Sequence, residues 1–226
     1  MNPKRFICII ISIFIIFFKA QSISFAEKIN LEGKWKIIFT SDENDYSSPE
    51  LYDNSWPTII LPNKRLMPAN LIDIFKSNNI YLDKNQKEGY FWIRKSFYLT
   101  ELPKENLSLF IREIMNADIA YVNGIKIGQT GSFPPCFRSA WANARLYTLP
   151  QSILRKGTNI IAIKIYFNAE SWIMSPIIID NSNDLSKKKL LFDFFLIDLI
   201  ESFSVLLFAI SIFFMIFFIK RKKEIE

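Results

Sequence analysis

The residues best suited to bind a polar ligand lie in one loop-like stretch rich in glycine, proline, arginine and aromatic residues. A carbohydrate presents flat C–H faces and hydroxyl edges, so its site needs an aromatic ring beside planar hydrogen-bonding groups. Trp141 supplies the ring, and the planar groups are those of Gln129, Arg138, Asn143 and Arg145. These five residues form a candidate ligand site. In the alternative interpretation, Trp141 plugs one end of the domain and the arginines pair with carboxylates.

Catalytic and metal chemistry are not indicated. The sequence has no histidine, which removes the commonest general base and metal ligand. No arrangement of nucleophile, base and orienting group stands out. Backbone carbonyls and carboxylates could hold calcium, but no spaced acidic loop indicates such a site. We therefore predict no catalytic residue and assign no metal ligand and no cofactor, and calcium stays open as a possible bound ion.

A β-hairpin is predicted to position the stretch that contains these candidate ligand residues. Asn123 and Gly124 lie between two strand-like runs, and both tolerate the positive φ that a type I′ turn requires at its central residues. This turn would pair Val122 with Ile125. Gly128 and the glycine and prolines that follow it then direct the chain into the loop.

The domain that carries the hairpin is predicted to be mostly β. Apolar residues alternate with period two in 107–112 and 159–167, and other runs are rich in Ile, Phe, Tyr and Trp. Strands with one apolar face build sandwiches, because two such faces can bury each other. No helix-rich segments alternate with the strands, which disfavours a parallel α/β sheet. We assign residues 27–183 to an exported β-sandwich.

The N-terminal segment is typical of a secretory signal peptide. Residues 1–26 have a basic start, an apolar run, and small residues before a cut after Ala26. The alternative is an uncleaved anchor, but the run is shorter than the ~20 residues that span a bilayer. Cleavage would remove Cys8 and leave Cys136 alone, so no internal disulfide is expected.

The C-terminal segment predicts one transmembrane helix. Residues 202–219 carry no charged side chain and are long enough to span a bilayer. The basic cluster in 220–226 should stay cytoplasmic, so the sandwich would face the periplasm or the exterior as part of a single-pass cell-membrane protein. A buried core helix is disfavoured because the segment has no polar face. The positive charge is concentrated at the two ends, so nucleic-acid binding is not expected.

A juxtamembrane segment, residues 184–201, joins the domain to this helix. Asp193, Asp198 and Glu201 interrupt an otherwise apolar run, and the last two would share a helical face. The segment is either a helix that packs on a partner and passes movement inward, or an amphipathic helix on the outer membrane surface. We favour the second interpretation.

Five motifs occur in an order that resembles a known family: GKWKIIF, YDNSWPTIILP, GYFWIRKSFYL, ADIAYVNGIKIGQTGSFPP and RLYTLPQSILRKGTNIIAIKIY. Over roughly residues 30–180 the chain resembles the sugar-binding jelly-roll domain at the N-terminus of family 2 glycoside hydrolases, within the galactose-binding-like superfamily. It is also similar to extracellular jelly-roll modules of bacterial membrane sensors. The resemblance implies an all-β jelly-roll sandwich of about eight or nine strands.

The resemblance also implies which residues are structural. Trp56 would pack at an edge, and Arg94 and Asp118 would be polar scaffold positions that could pair. Gly157 would form a turn before the closing strand. The full set of implied scaffold residues is Trp56, Arg94, Asp118, Asn123, Gly124, Gly128 and Asn159.

The sequence departs from the family pattern in ways that change the function we expect for it. Family 2 hydrolases carry a catalytic barrel of about 250 residues, for which this sequence has no room. The sensors usually continue into more membrane helices and a cytoplasmic kinase, cyclase or phosphatase, so the chain could also be half of a split or truncated sensor. We expect a non-catalytic, membrane-anchored module that binds a carbohydrate or similar ligand, as the input part of a sensor with a separate signalling protein. The alternatives are an accessory domain of a hydrolase and a protein-interaction module that uses the loop at 133–145.

Overall fold

The computed structural model describes residues 28–40 and 44–225. The predicted signal peptide, with its cut after Ala26, lies outside the described residues. The strands are β1 (Ile29–Asn30), β2 (Gly33–Thr40), β3 (Thr58–Leu61), β4 (Glu88–Leu99), β5 (Leu107–Ile114), β6 (Ala117–Val122), β7 (Ile125–Thr130), β8 (Arg145–Leu149), β9 (Gly157–Asn168) and β10 (Ile173–Asn181).

These strands form two antiparallel sheets that pack face to face. The four-stranded sheet has the order β1-β10-β5-β8, and the six-stranded sheet has the order β3-β2-β4-β9-β6-β7. The two 12-residue strands β4 and β9 pair along their whole length in the centre of the larger sheet. The all-β sandwich that the sequence predicted is confirmed, with ten strands in the described residues rather than eight or nine.

The main core lies between the sheets, where the alternating residues of β9 point. Ile161, Ile163, Ile165 and Phe167 are all fully buried, as the period-two pattern predicted. The other face of strand β5 is also buried: Ser108 and Phe110 are as inaccessible as their neighbours. A helix covers that second face.

The covering helix begins where the sandwich ends. Helix α2 (Ser182–Asp193) continues through a π-helical segment (Phe194–Asp198) into α3 (Leu199–Ile225). The side chain of Asn181 caps the start by accepting a hydrogen bond of 2.8 Å from the Asn183 amide. Leu185 is buried against the four-stranded sheet. The juxtamembrane segment is therefore helical, and it packs on the domain's own sheet, which neither sequence interpretation included.

Residues 200–221 of helix α3 have exposed side chains, so this part of the helix extends away from the sandwich. Residues Leu199–Arg221 form a helix long and apolar enough to cross a membrane. The structure thus confirms one exposed, apolar C-terminal helix of spanning length. A further helix, α1 (Pro68–Ser77), was not predicted; it buries Leu71 and Phe75 against the sandwich.

The predicted hairpin is confirmed with one irregularity. Asn123 has φ +50° and Gly124 has φ +84°, the positive values that a type I′ turn needs. Val122 pairs with Ile125 as predicted, but a bulge then places Gly128 opposite Ala120. The Asn123 side chain does more than turn the chain, because it also bonds the main chain at the start of β9.

We predict that Gly128→Ala will destabilise the fold by about 1–3 kcal/mol, the usual cost of overpacking. A Cβ at this position would lie 2.2 Å from Cδ1 of the buried Tyr147 ring, whose hydroxyl group is held by two hydrogen bonds. The measurement is thermal unfolding of the detergent-solubilised protein. In a Tyr147→Ala background the same glycine substitution should cost much less. An equal cost in both backgrounds would show that the ring is not the obstacle.

Candidate functional site

A buried ion pair joins the two sheets beneath the loop at 133–145. Arg145 at the start of β8 donates from Nε to Oδ1 of Asp118 in β6 at 2.8 Å, and both side chains are fully buried. The terminal guanidinium nitrogens donate to the main-chain carbonyls of Ile114, Ala140 and Asn143. The guanidinium is therefore fully engaged by protein oxygens, and it fixes the path of the loop.

Tyr147 extends this pair into a network. Its hydroxyl group donates to Oδ2 of Asp118 at 2.6 Å and lies 2.7 Å from Oγ1 of Thr130. Burial raises the pKa of Asp118, while the adjacent Arg145 and the Tyr147 hydroxyl group oppose that rise. Burial also raises the pKa of Tyr147, and the neighbouring Asp118 carboxylate raises it further. The tyrosine therefore stays neutral and acts as a hydrogen-bond donor.

Asp118 does not pair with Arg94, so that prediction was wrong. Arg94 lies in β4 and donates instead to Oδ2 of Asp53 at 2.9 Å and to the carbonyls of Tyr46 and Ser48. Its guanidinium carbon lies 5.9 Å from the ring centre of Trp56. Trp56 is buried next to the edge strand β3. This second pair holds the loop before β3 on the outer face of the six-stranded sheet.

The predicted scaffold turn at Asn159 is also tightly bonded. The Asn159 side chain accepts from the Arg155 amide at 2.9 Å and donates to the Arg155 carbonyl at 2.7 Å. Its Oδ1 also accepts from the Asn123 side chain at 2.8 Å. The two asparagines thus connect the hairpin turn to the turn that precedes β9.

A cleft of about 290 Å³ opens above the buried network. It brings together three of the five predicted ligand residues, Gln129, Arg138 and Asn143, and all three are exposed. Its walls are the end of β7 and the residues just before β8. Its full lining is Gln129, Thr130, Gly131, Arg138, Ser139, Ala140 and Asn143.

The other two predicted residues lie in different places. Trp141 is half exposed next to the cleft, with its ring centre 6.4 Å from that of Trp172. Arg145 lies inside the domain, below the cleft, where a surface ligand would not reach it. A signal for this was present in the sequence, because Arg145, Tyr147 and Leu149 alternate on one face of β8 and all three are buried.

The cleft contains groups that the sequence analysis did not single out. Ser139 and Thr130 add hydroxyl groups to its lining, and the Ser139 hydroxyl group donates to Oδ1 of Asn116 at 3.0 Å. No sequence pattern marks these residues, because serine and threonine are common in every loop. Within residues 28–40 and 44–225, no group of three or more His, Cys, Asp or Glu residues could hold a metal ion.

No protein-family model matches the sequence, and no curated protein matches it. Among solved structures, a β-glycosidase from Bacteroides vulgatus is similar at 19% identity, over 69% of this chain and 20% of that chain, with a TM-score of 0.47. A β-glucuronidase from Ruminococcus gnavus in complex with uronic deoxynojirimycin is similar at 17% identity over 62% and 21%, with a TM-score of 0.44. A β-glucuronidase from glycoside hydrolase family 2 is similar at 22% identity over 64% and 14%, with a TM-score of 0.44. The chain spans about a fifth of the length of these enzymes or less.

We predict that Asp118→Asn will destabilise the protein by about 3–5 kcal/mol, because it leaves the buried Arg145 guanidinium without its counter-charge. This corresponds to a fall of roughly 6–20 °C in the unfolding midpoint for a domain of this size. The matched control is Asp53→Asn, which removes the carboxylate of the other pair, where the aspartate is partly exposed. The control should lower the midpoint clearly less. Equal effects would contradict the central role of the Asp118 pair.

Proposed function

We propose that the sandwich is a non-catalytic, membrane-anchored, extracytoplasmic module that binds a carbohydrate or a similar polar ligand in the cleft between β7 and β8. The observation that carries this proposal is the convergence of Gln129, Arg138 and Asn143 on one cleft beside the half-exposed Trp141. Amide and guanidinium groups are planar and suit hydroxyl edges, and an indole ring suits a C–H face.

The rigidity of the cleft supports this function. The loop that carries Arg138 is closed by two main-chain hydrogen bonds to Ser132, of 3.0 and 3.1 Å. The carbonyls of Ala140 and Asn143 are held from below by Arg145. Walls that are ordered before the ligand arrives reduce the entropy lost on binding.

The lining of the cleft supports binding rather than catalysis. Retaining glycoside hydrolysis uses two carboxyl groups about 5 Å apart on either side of the scissile bond. The described lining of this cleft consists of amide, hydroxyl, guanidinium and main-chain groups, with no carboxyl group among them. A bound sugar would therefore be held at this cleft without being cleaved there.

The continuous C-terminal helix supports a role as the input part of a sensor in the cell membrane. Helices α2 and α3, with the π-helical segment between them, form one element from the sandwich to the end of the candidate span. A displacement of the four-stranded sheet would be passed along this helix to a separate signalling protein. An accessory role beside a hydrolase, or capture of a protein by the loop at 133–145, would use the same cleft without this coupling.

The ligand proposal predicts thermal stabilisation by a sugar. In a screen of mono- and oligosaccharides against the detergent-solubilised protein, a ligand at 100 times its Kd should stabilise by about 2.7 kcal/mol, or roughly 5–11 °C. Trp141→Ala and Asn143→Ala should reduce the shift. Tyr81→Ala, which truncates a 90% exposed aromatic residue outside the cleft, should leave it unchanged. A silent panel, or equal shifts for wild type and Trp141→Ala, would count against the proposal.

The anchoring proposal predicts retention in the membrane after an alkaline carbonate wash. Placing arginine at both Phe208 and Ile212 should release the protein, because each charge at the centre of a bilayer costs about 2.5–3.5 kcal/mol. Leucine at the same two positions is the matched control and should be retained. Release of the wild-type chain by the wash would contradict the spanning role of α3.

A further inference from the structure

Helix α2 and strand β5 run side by side in nearly the same direction. The Ser182 and Ser108 hydroxyl groups share a hydrogen bond of 2.8 Å. Ten residues further along the helix, the Phe192 ring lies 5.9 Å from that of Phe110 and 5.7 Å from the guanidinium carbon of Arg112. Ten helical residues advance ~15 Å, and the four strand residues from Ser108 to Arg112 advance ~13 Å. The contact with Phe110 lies only two residues, ~7 Å, beyond Ser108. The two elements therefore advance in the same sense, with axes that are not strictly parallel.

The same direction brings one end of the sandwich level with the start of the apolar helix. From Phe192 the helix rises ~11 Å to Leu199, where the candidate span begins. From Arg112 the strand advances ~7 Å to its last residue, Ile114, and the connection to β6 lies beyond it. The loops around the end of β5 therefore lie at the height at which the chain would enter the bilayer.

Hydrogen bonds gather four segments at this end, which we call the span-proximal end: residues 63–66, 113–116, 138–143 and 170–173. The Asn116 carbonyl accepts from the Ala140 amide at 3.0 Å. The Leu66 amide donates to the Ser171 carbonyl at 3.0 Å, and Ile173 pairs with Ile114 in the sheet. These bonds hold the four segments together as one ordered surface at this end of the sandwich.

The side chains of the span-proximal end suit a membrane surface. Trp141 is half exposed there and Trp172 is partly exposed beside it. Tryptophan is enriched at the interface between lipid and water, where its ring meets the acyl boundary. The Trp172 N–H group donates to the Glu113 carboxylate, whereas the Trp141 ring is the more exposed of the two. The exposed charged residues at this end are Lys64, Arg65, Arg138 and Glu170, so basic groups that attract lipid phosphates predominate.

We propose that the span-proximal end rests on the headgroup layer of the membrane that α3 crosses, with Trp141 and Trp172 in the interfacial zone. This inference rests on the proposed membrane anchoring, and it uses Trp141, the ring that the ligand proposal places beside the cleft. The contact restrains the tilt of the sandwich relative to the bilayer. It also places the Arg138 cleft close to the membrane surface, where it would meet ligands presented by lipids or by other membrane components.

Quenching of tryptophan fluorescence by brominated lipid tests this contact. The full chain would be placed in nanodiscs of phosphatidylcholine that carries bromine on the acyl carbons nearest the headgroup, and in unbrominated nanodiscs. The chain has five tryptophans, and Trp35, Trp56 and Trp92 are buried in the sandwich. We expect weaker emission in the brominated discs, and the double variant Trp141→Phe, Trp172→Phe should lose most of that difference.

Two control variants, each made in the Trp141→Phe, Trp172→Phe background, distinguish failure of the membrane contact from failure of the anchor. Tyr98→Trp places a ring at an exposed site near the start of β5, at the opposite end of the sandwich, and it should escape quenching. Phe203→Trp places an exposed ring just inside the outer end of the candidate span, at the depth of the bromine atoms, and it should be quenched. Quenching at position 203 without quenching of the native tryptophans would overturn the membrane contact and leave the anchor intact. No quenching at position 203 would overturn the anchor and the contact together, while sugar binding in detergent would be unaffected.

Discussion

The buried ion pair between Arg145 and Asp118 is the interaction on which both the sandwich and the cleft depend. It links a strand of the four-stranded sheet to a strand of the six-stranded sheet, out of contact with water. Removing one partner would leave an uncompensated buried charge, which is far more costly than losing a surface pair. Tyr147 is held by the same carboxylate, and its ring occupies the space that Gly128 leaves open. The need for glycine at that position therefore follows from the same interaction.

Local patterns explain why the strands were predictable. Alternation in 159–167 reflects the fully buried, core-facing side chains of β9, and the Asn123-Gly124 turn requires two residues that accept positive φ. The burial of both faces of β5 was not predictable in this way. It depends on a helix that begins more than sixty residues later in the chain and folds back over Phe110. Helix α1 was missed for a different reason, because it is only ten residues long and buries just three of them, Pro68, Leu71 and Phe75.

The candidate site was predictable in composition and less so in geometry. Gln129, Arg138 and Asn143 belong to one cleft because a hairpin and the following loop return to the same edge of the sandwich. Sequence spacing could not show which arginine pairs with Asp118, since Arg94 and Arg145 lie at similar sequence separations on either side of it. The choice is made by the packing of the two sheets, which places β8 next to β7 and leaves Arg94 on an outer face near Asp53. An arginine in a motif that resembles a ligand-binding site can thus be a structural residue that fixes the conformation of the loop.

Strand β8 connects the cleft to the C-terminal helix through its alternating side chains. Arg145 and Tyr147 point into the network that supports the cleft, whereas Ala144 and Leu146 pack in the cluster that contains Leu185 of α2. A ligand that shifted the main chain before β8 would therefore press directly on the helix that leads to the candidate span. Buried packing does not deform continuously, so such a shift would move the helix as a unit. The π-helical turn at 194–198 lies just beyond the docked part, where a helix with altered hydrogen bonding can absorb or redirect that movement.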